Sequence, residues 1–222
     1  MVGNSVVPDQ YYFNLDGALL SAQADVFDCV TSAMKTHDVA SLTQQQFDEN
    51  YSQYWGLGFT ELIREITGCC AEQATIIARE YSSVCEQRGF VKTAASEDLH
   101  ELLHRLSRNS TQLHCVSSYI PDPETLLYEK NLHRYFRTIT NTMNNRTEFW
   151  QELLLNADLQ KICIVSDRAV DLQYGVAQKI VTVAVTWGAD DTWDLGLQTP
   201  DVILTNAAES KRFFIDGVLP KG

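Results

Sequence analysis

Several features that define other protein classes are missing from this 222-residue chain. No apolar run approaches the ~20 residues that a membrane-spanning helix needs. The first residues lack the basic segment, apolar stretch and small-residue cleavage site of a secretory signal. The six cysteines are scattered, and they resemble neither a disulfide framework nor paired C-x-x-C metal hooks. We therefore expect a cytoplasmic protein with reduced thiols and no membrane partner.

Positive charge is also scarce. The chain carries 17 basic residues against 29 acidic ones, which gives a formal net charge of -12. Most of such a surface repels the phosphate backbone of a nucleic acid, so we do not expect a nucleic-acid partner. An anionic ligand would have to be held by a local set of donors.

What the chain does contain is a series of short apolar runs, rich in β-branched and aromatic residues, as expected for strands buried on both faces. The clearest runs are 11–14, 113–117, 161–166, 180–186 and 202–205, with a further strand expected within 135–140. Helical stretches alternate with them at 96–106, 123–132, 147–155 and 171–178. This alternation predicts an α/β fold with a mostly parallel sheet of the flavodoxin or Rossmann kind.

The long interval between the first two strands breaks this alternation because it is helical throughout. Phe59, Leu62, Ile63 and Ile66 share one face of a predicted helix. Breaks between its helices are expected at 55–58 and at 67–68. We therefore predict a core domain of residues 1–20 and 90–222, with a helical domain, residues 21–89, inserted after the first strand.

Polar residues follow three of the predicted strands at the point where each strand ends. Ligands of open parallel sheets bind beyond the carboxyl ends of the strands, so these residues predict a common site. They are Asn14 and Asp16 after the first strand, Ser117 and Ser118 after the second, and Asp167 and Asp171 after the strand at 161–166.

These motifs together resemble the haloacid dehalogenase superfamily along nearly the whole chain. Its first motif, Asp-x-Asp-Gly-Thr after a strand, is matched by 14–18; its second, a strand ending in Ser or Thr, by 115–117; its fourth, Gly-Asp-x-x-x-Asp, by 166–171. The stretches 175–177, 185–188 and 199–203 resemble the phosphoglycolate-phosphatase branch. In that branch a helical cap is inserted directly after the first motif, where this chain has its helical interval.

The resemblance implies a covalent phosphatase mechanism. A carboxylate at position 14 would attack phosphorus and form an aspartyl-phosphate. Asp16 would protonate the leaving group and then activate water.

The resemblance also implies a binding site for phosphate and Mg²⁺. Ser117, with its neighbour Ser118, and a lysine would hold phosphate oxygens. Mg²⁺ would be bound by the side chain at position 14, the side chain of Asp167 and the main-chain carbonyl of Asp16. Asp171 would hold these ligands in place without binding the ion itself.

Two residues depart from the family pattern at important positions. Asn14 has no anionic oxygen with which to attack, and its amide is a poorer ligand for Mg²⁺ than a carboxylate, so we expect metal binding to be weakened. The lysine of the third motif is also missing, and Arg146 is the one cation in its region. Two alternatives are open for Arg146: a weak phosphate-binding residue, because its planar fork does not replace the point charge of a lysine, or an exposed loop residue. Because both residues are lost together, a naturally degenerate site is favoured over an asparagine introduced by design.

A competing motif lies at His100-Glu101-Leu102-Leu103-His104, which fits the zinc-peptidase pattern H-E-x-x-H on a predicted helix. The further ligands of the extended pattern are missing. Glu124 and Glu129 are not clearly placed to supply a third ligand. We therefore expect this helix to pack against the sheet and to bind no zinc.

Three functional hypotheses follow. The leading one is a phosphatase-like protein with little or no hydrolytic activity, which binds a phosphorylated small molecule or a protein partner. The second is a working Mg²⁺-dependent phosphatase of the phosphoglycolate-phosphatase type, either with its nucleophile replaced in this sequence or with an altered mechanism. The third is an interaction protein with a vestigial cleft.

Overall fold

A six-stranded parallel sheet forms the centre of the protein in a computed structural model that describes residues 8–40, 42–54, 58–108 and 111–216. Its strand order is β3-β2-β1-β4-β5-β6, the order of the Rossmann fold. This confirms the predicted parallel α/β core. The strands are β1 (Gln10–Asn14), β2 (Gln112–Ser117), β3 (Thr138–Asn141), β4 (Ile162–Ser166), β5 (Val181–Val185) and β6 (Val202–Leu204).

The apolar runs form strands because helices cover both faces of the sheet. All five residues of β4 are buried, whereas the edge strand β3 contains no fully buried residue. In the centre, Phe13 of β1 pairs with Cys115 on one side and Val165 on the other. Cys115 and Cys163, which lie within the apolar runs of β2 and β4, are buried in this core as small apolar side chains.

Ten α-helices are found in the described residues. Four of them precede the return to the sheet: α1 (Gln23–Thr36), α2 (Gln44–Tyr54), α3 (Phe59–Thr67) and α4 (Ala71–Arg88). The others are α5 (Glu97–Arg108), α6 (Pro123–Glu129), α7 (Arg146–Asn156), α8 (Ala169–Ala177), α9 (Thr192–Leu197) and α10 (Ala207–Phe214). No helix of the described ranges is long and apolar enough to cross a membrane.

The helical interval between β1 and α5 consists of α1 to α4, as predicted. Phe59, Leu62 and Ile63 on α3 are fully buried, so the apolar face inferred from their spacing is the face that packs. Gly68 ends α3 with a φ of 66°, which explains the predicted break at 67–68. Of the other predicted break, residues 55–57 lie outside the described residues. The domain boundaries themselves stay predictions.

Some boundaries differ from the sequence prediction. The helix expected over 123–132 ends at Glu129, because Asn131 adopts a left-handed φ of 57° that an α-helix does not accommodate. The strand expected within 135–140 runs from Thr138 to Asn141, after a short 3₁₀ turn at His133–Tyr135. Helix α8 begins at Ala169, two residues before its expected start.

The four-helix insertion contacts the core at the loops that follow β2 and β3. The Phe59 amide donates a hydrogen bond of 2.8 Å to the Met143 carbonyl. The Tyr81 hydroxyl donates to the Tyr119 carbonyl, and the rings of Phe59 and Tyr119 lie 5.6 Å apart. The insertion therefore packs over the edge of the sheet where the predicted site lies.

Candidate functional site

The carboxyl ends of three strands form the floor of the candidate site. Strand β1 pairs with β2 on one side and with β4 on the other, so the residues that follow these strands meet at one edge. The strand order reverses here, which is where open parallel sheets place their ligands. All the residues predicted from the strand ends lie here and are buried: Asn14, Asp16, Ser117, Ser118, Asp167 and Asp171.

Asn14 uses both ends of its amide. Its Nδ2 donates to the Asp16 carbonyl at 3.0 Å and to Asp167 Oδ1 at 2.7 Å. Its Oδ1 accepts a hydrogen bond of 3.2 Å from Arg146 Nη2. The reverse orientation would place an oxygen against two acceptors and an N–H group against a guanidinium, so these partners fix the amide orientation.

The Asp16 carboxylate lies in a set of donors supplied by the loop after β2. Its Oδ2 accepts hydrogen bonds from the amides of Ser118 at 2.8 Å and Tyr119 at 3.1 Å. The Ser117 hydroxyl lies 3.1 Å and 3.2 Å from its two oxygens and donates to them. We call these three donors of residues 117–119 the anion cradle. In this structure the cradle holds a carboxylate that belongs to the protein.

Burial also changes the acidity of Asp16. Desolvation is the largest effect and raises the pKa of Asp16 above its usual value. Hydrogen bonds from the amides of Ser118 and Tyr119 act in the opposite direction, as do the charges of Arg146 and Arg168, but they do not overcome desolvation. The cradle thus stabilises the charged form of Asp16 only in part.

Arg146 takes the central cationic position of the site. Its Nε donates to Asp171 Oδ1 at 2.7 Å, and its Nη2 donates to Asp171 Oδ2, which makes a bidentate ion pair. Its Nη1 donates to the Ser118 hydroxyl. Arginine geometry suits such a planar double contact. These contacts exclude the alternative in which Arg146 is an exposed loop residue.

The Asp171 carboxylate is fully buried and accepts four hydrogen bonds. It accepts a hydrogen bond of 2.6 Å from the Ser166 hydroxyl and one of 2.9 Å from Trp150 Nε1, in addition to the two hydrogen bonds from Arg146. Burial raises its pKa, but the charge and hydrogen bonds of Arg146 and those of Ser166 and Trp150 lower the pKa of Asp171 more, so that it ends below its usual value. Asp171 is therefore held as the anion.

Desolvation lowers the pKa of Arg146, while Asp171, through its charge and hydrogen bond, and the more distant Asp16 and Asp167 raise it. The net effect is a pKa above the usual value of arginine. The Arg146 and Asp171 pair therefore keeps both of its charges.

Asp167 is enclosed by backbone. A Cβ on Gly17 would lie 2.0 Å from Asp167 Oδ2, and one on Gly188 would lie 2.2 Å from it, so both positions require glycine for space. Gly17 also has a φ of 110°, a conformation that side chains rarely adopt. The amide of Ala189 donates to Asp167 Oδ2 at 2.9 Å. Asp167 thus has little freedom to turn toward a new partner.

Two charged residues of the site were missed by the sequence analysis. Arg168 was treated as a variable position of the fourth motif, yet its side chain is 1% exposed and lies 3.4 Å from both Asp167 and Asp190. The Asp190 carboxylate also accepts a hydrogen bond of 2.7 Å from the amide of Ala169, at the start of α8. A basic residue between a buried strand and a predicted helix was the available signal for Arg168; Asp190, in a polar stretch far along the chain, gave none.

The H-E-x-x-H motif lies on α5, as predicted, but its side chains have other partners. Glu101 forms ion pairs with Arg105 and Lys211. The rings of His100 and His104 each lie 6.3 Å from the Tyr135 ring. Within the part of the chain that the structure describes, no three metal-binding side chains come together.

The predicted Mg²⁺ ligands do not form an open set of oxygens. Mg²⁺ requires near-octahedral oxygen coordination. Asn14 presents its Nδ2, not its oxygen, to Asp167 and to the Asp16 carbonyl, and the Asp16 carboxylate faces the anion cradle. The cavity beside Asp16, Gly17 and Arg168 measures about 30 Å³, which is room for about one or two waters. As arranged, these residues do not fit a hydrated Mg²⁺.

The solved structures that match this architecture are haloacid dehalogenase-like phosphatases, and the fold is theirs. A haloacid dehalogenase-like hydrolase from Streptococcus pneumoniae superposes with a TM-score of 0.77 and 19% identity, over 93% of this chain and 98% of its own. A predicted phosphatase from Clostridium acetobutylicum gives a TM-score of 0.76 and 17% identity, over 94% of this chain and 99% of its own.

A predicted phosphoglycolate phosphatase from Haemophilus somnus also shares the fold, with a TM-score of 0.75 and 14% identity, over 91% of this chain and 96% of its own. No protein-family model matches the sequence, and no curated protein matches it significantly. The resemblance drawn from the motifs is therefore confirmed at the level of the fold.

Proposed function

We propose that this protein is a non-hydrolytic member of the phosphatase fold that recognises a phosphorylated small molecule at the edge of its sheet. The observation that carries the proposal is the amide of Asn14, whose two N–H groups and oxygen all have partners. A neutral amide in this position offers no anionic oxygen for attack on phosphorus. The covalent route of the fold is thereby lost.

The anion cradle supports the binding part of the proposal. Two main-chain amides and one hydroxyl converge on a carboxylate oxygen, and phosphate oxygens accept the same kind of hydrogen bond. Arg146 supplies a fixed positive charge next to it, because its Nη1 donates to the Ser118 hydroxyl. A phosphoryl group would bind there after the Asp16 side chain turns away.

The experiment is hydrolysis of an aryl phosphate with Mg²⁺ by the unaltered chain, by Asn14→Asp and by Asn14→Asp with Arg146→Lys. We expect no turnover by the unaltered chain, since loss of a nucleophile can cost on the order of 10⁶ in rate. Rescue by the double variant alone would support a naturally degenerate site. Turnover by the unaltered chain would refute the proposal in favour of a working phosphatase, and full rescue by the single variant would indicate an engineered asparagine.

Binding is tested separately by thermal unfolding in the presence of glycerol phosphate. A ligand that binds only the folded state raises the melting temperature, and the rise grows with the ratio of the ligand concentration to the dissociation constant. We expect a rise for the unaltered chain that Ser117→Ala reduces and that Ser107→Ala, a matched change on α5, leaves in place. No rise in any variant would favour an interaction protein with a vestigial cleft.

A protein partner is the second candidate, and an exposed apolar surface favours it. On α9, Trp193 is 73% exposed and Leu197 is 60% exposed, and Trp187 on the preceding loop is 42% exposed. Trp193 and Leu197 are four residues apart and therefore share one face of α9. Large apolar side chains exposed together on one face often mark a contact with another protein.

We also propose a cytoplasmic location, which the six free cysteines support.

A further inference from the structure

We propose that the site has replaced its divalent cation with hydrogen-bond donors of its own, so that it folds and binds anions without a metal. This inference deepens the proposed function and rests on it. It concerns the position between the Asp16 carbonyl and the Asp167 carboxylate, the two oxygens that the resemblance assigns to Mg²⁺.

The amide nitrogen of Asn14 stands between those two oxygens. It lies 3.0 Å from the Asp16 carbonyl and 2.7 Å from Asp167 Oδ1, and it gives one N–H group to each. Two acceptors this close to a carboxylate oxygen at position 14 would repel it unless a cation lay between them. The amide removes that need, because it presents positive hydrogen atoms to both acceptors at once.

The guanidinium of Arg168 supplies a full positive charge on the other side of Asp167. Its Nε lies 3.4 Å from Asp167 Oδ2, and its Nη1 lies 3.4 Å from Asp190 Oδ1. An arginine keeps its charge even when buried. A dication entering beside this group would meet its repulsion in a region of low dielectric.

The Asp16 carboxylate is directed away from the metal position. Its oxygens accept from Ser117, Ser118 and Tyr119, so only its main-chain carbonyl faces Asn14. Binding a metal at this position would require the Asn14 amide to break its hydrogen bonds to the Asp16 carbonyl and to Asp167. An anion at the cradle, by contrast, already has Arg146 next to it.

Thermal unfolding in EDTA and in millimolar Mg²⁺ tests the inference with three proteins: the unaltered chain, Asn14→Asp and Asn131→Asp. The last variant adds the same charge at an exposed residue outside the site, where aspartate tolerates the left-handed backbone. We expect Mg²⁺ to leave the unaltered chain and Asn131→Asp unchanged. Asn14→Asp should melt lower in EDTA and regain several degrees in Mg²⁺.

Equilibrium dialysis against Mn²⁺ measures the same property without relying on the stability of a variant. We expect no stoichiometric Mn²⁺ on the unaltered chain. One tightly held ion per chain, or a rise of several degrees in its melting temperature with Mg²⁺, would overturn the inference.

The inference and the proposed function fail in different ways. Phosphate-ester hydrolysis by the unaltered chain in EDTA would refute the proposed function and leave the metal-free site standing. Metal binding by the unaltered chain without hydrolysis would refute the metal-free site and leave the proposed function standing.

Discussion

The edge of the sheet and helix α5 each carry a sequence pattern associated with catalysis, but they differ in what the fold does with it. At the edge, residues separated by 153 positions, Asn14 and Asp167, hydrogen-bond each other. On α5 the motif comes from one helical turn, and Glu101 is paired with the basic side chains of Arg105 and Lys211. A sequence pattern associated with catalysis thus forms a candidate site only where the topology of the fold brings further functional side chains beside it.

The largest expected effect comes from breaking the buried ion pair of the edge. Arg146→Met should lower the free energy of unfolding by about 3–5 kcal/mol, because it leaves the Asp171 carboxylate buried without its cation. The two side chains are 11% and 1% exposed, so water cannot substitute for the arginine. Urea unfolding measures the loss.

The matched control is Arg105→Met on α5, which removes an exposed ion pair with Glu101. This change should alter stability by less than about 0.5 kcal/mol. Equal losses for the two variants would contradict the distinction between edge and helix.

The next largest effect on stability is expected from a steric change at the edge. Gly188→Ala would place a Cβ 2.2 Å from the Asp167 carboxylate, and we expect it to cost about 1–3 kcal/mol through displacement of enclosed groups. Gly196→Ala on α9 meets nothing within 4 Å and should stabilise by about 0.5–1 kcal/mol through helix propensity. Thermal unfolding of both variants would sharpen the comparison, and a stable Gly188→Ala would show that Asp167 can move.

A smaller effect concerns acid stability and compares a histidine of the sheet with one of α5. His114 stacks on Tyr12 at 4.4 Å between ring centres, and burial, with the charge of Arg137, lowers the pKa of His114 to about 4. Because its ordinary pKa is 6.5, the unfolded chain takes up a proton first as the pH falls. His114 should therefore contribute a loss of stability as the pH falls from 6.5 toward 4.

His114→Gln should reduce this loss, measured as the difference in urea midpoint between about pH 7 and about pH 5. The matched control is His104→Gln on α5, at an exposed histidine outside the sheet. An equally steep loss in His114→Gln would exclude His114 as its source.

The smallest effect is expected on α5 itself. His100→Ala should change stability by less than about 1 kcal/mol, because the half-buried ring loses one edge contact with Tyr135. Neither the unaltered chain nor the variant should gain stability from Zn²⁺. A zinc-dependent rise in melting temperature that His100→Ala abolishes would give α5 a metal site after all.

The sequence predicted most of the fold because local patterns carry it. Strands β2 and β4 lie where apolar β-branched runs predicted them, and α3 buries the face that its spacing indicated. Boundaries were less exact where one residue decides the end of an element, as Asn131 does after α6. Such backbone choices depend on the loop that follows and leave little trace in composition.

Sequence patterns indicated most of the residues that meet at this edge, but not Arg168 or Asp190, and not the pairing of the side chains. Residues at strand ends, such as Asn14 and Asp167, could be found because parallel strands finish at one edge. The direction of the Asp16 side chain and the burial of Arg168 could not, since both depend on contacts between distant segments. The phosphate roles of these residues stay predictions, whereas the arrangement of Asn14, Asp16 and Asp167 does not fit the Mg²⁺ that the resemblance implies.

Asp16 in the anion cradle would compete from within the protein with the phosphorylated ligand that we propose. The carboxylate is tethered to β1, so its effective concentration at the cradle does not fall when the protein is diluted. Any anion that enters must displace it, and the apparent dissociation constant is the intrinsic one divided by the fraction of molecules in which the cradle is open. Weak binding by this protein would therefore measure how firmly Asp16 is seated as well as how well the ligand fits.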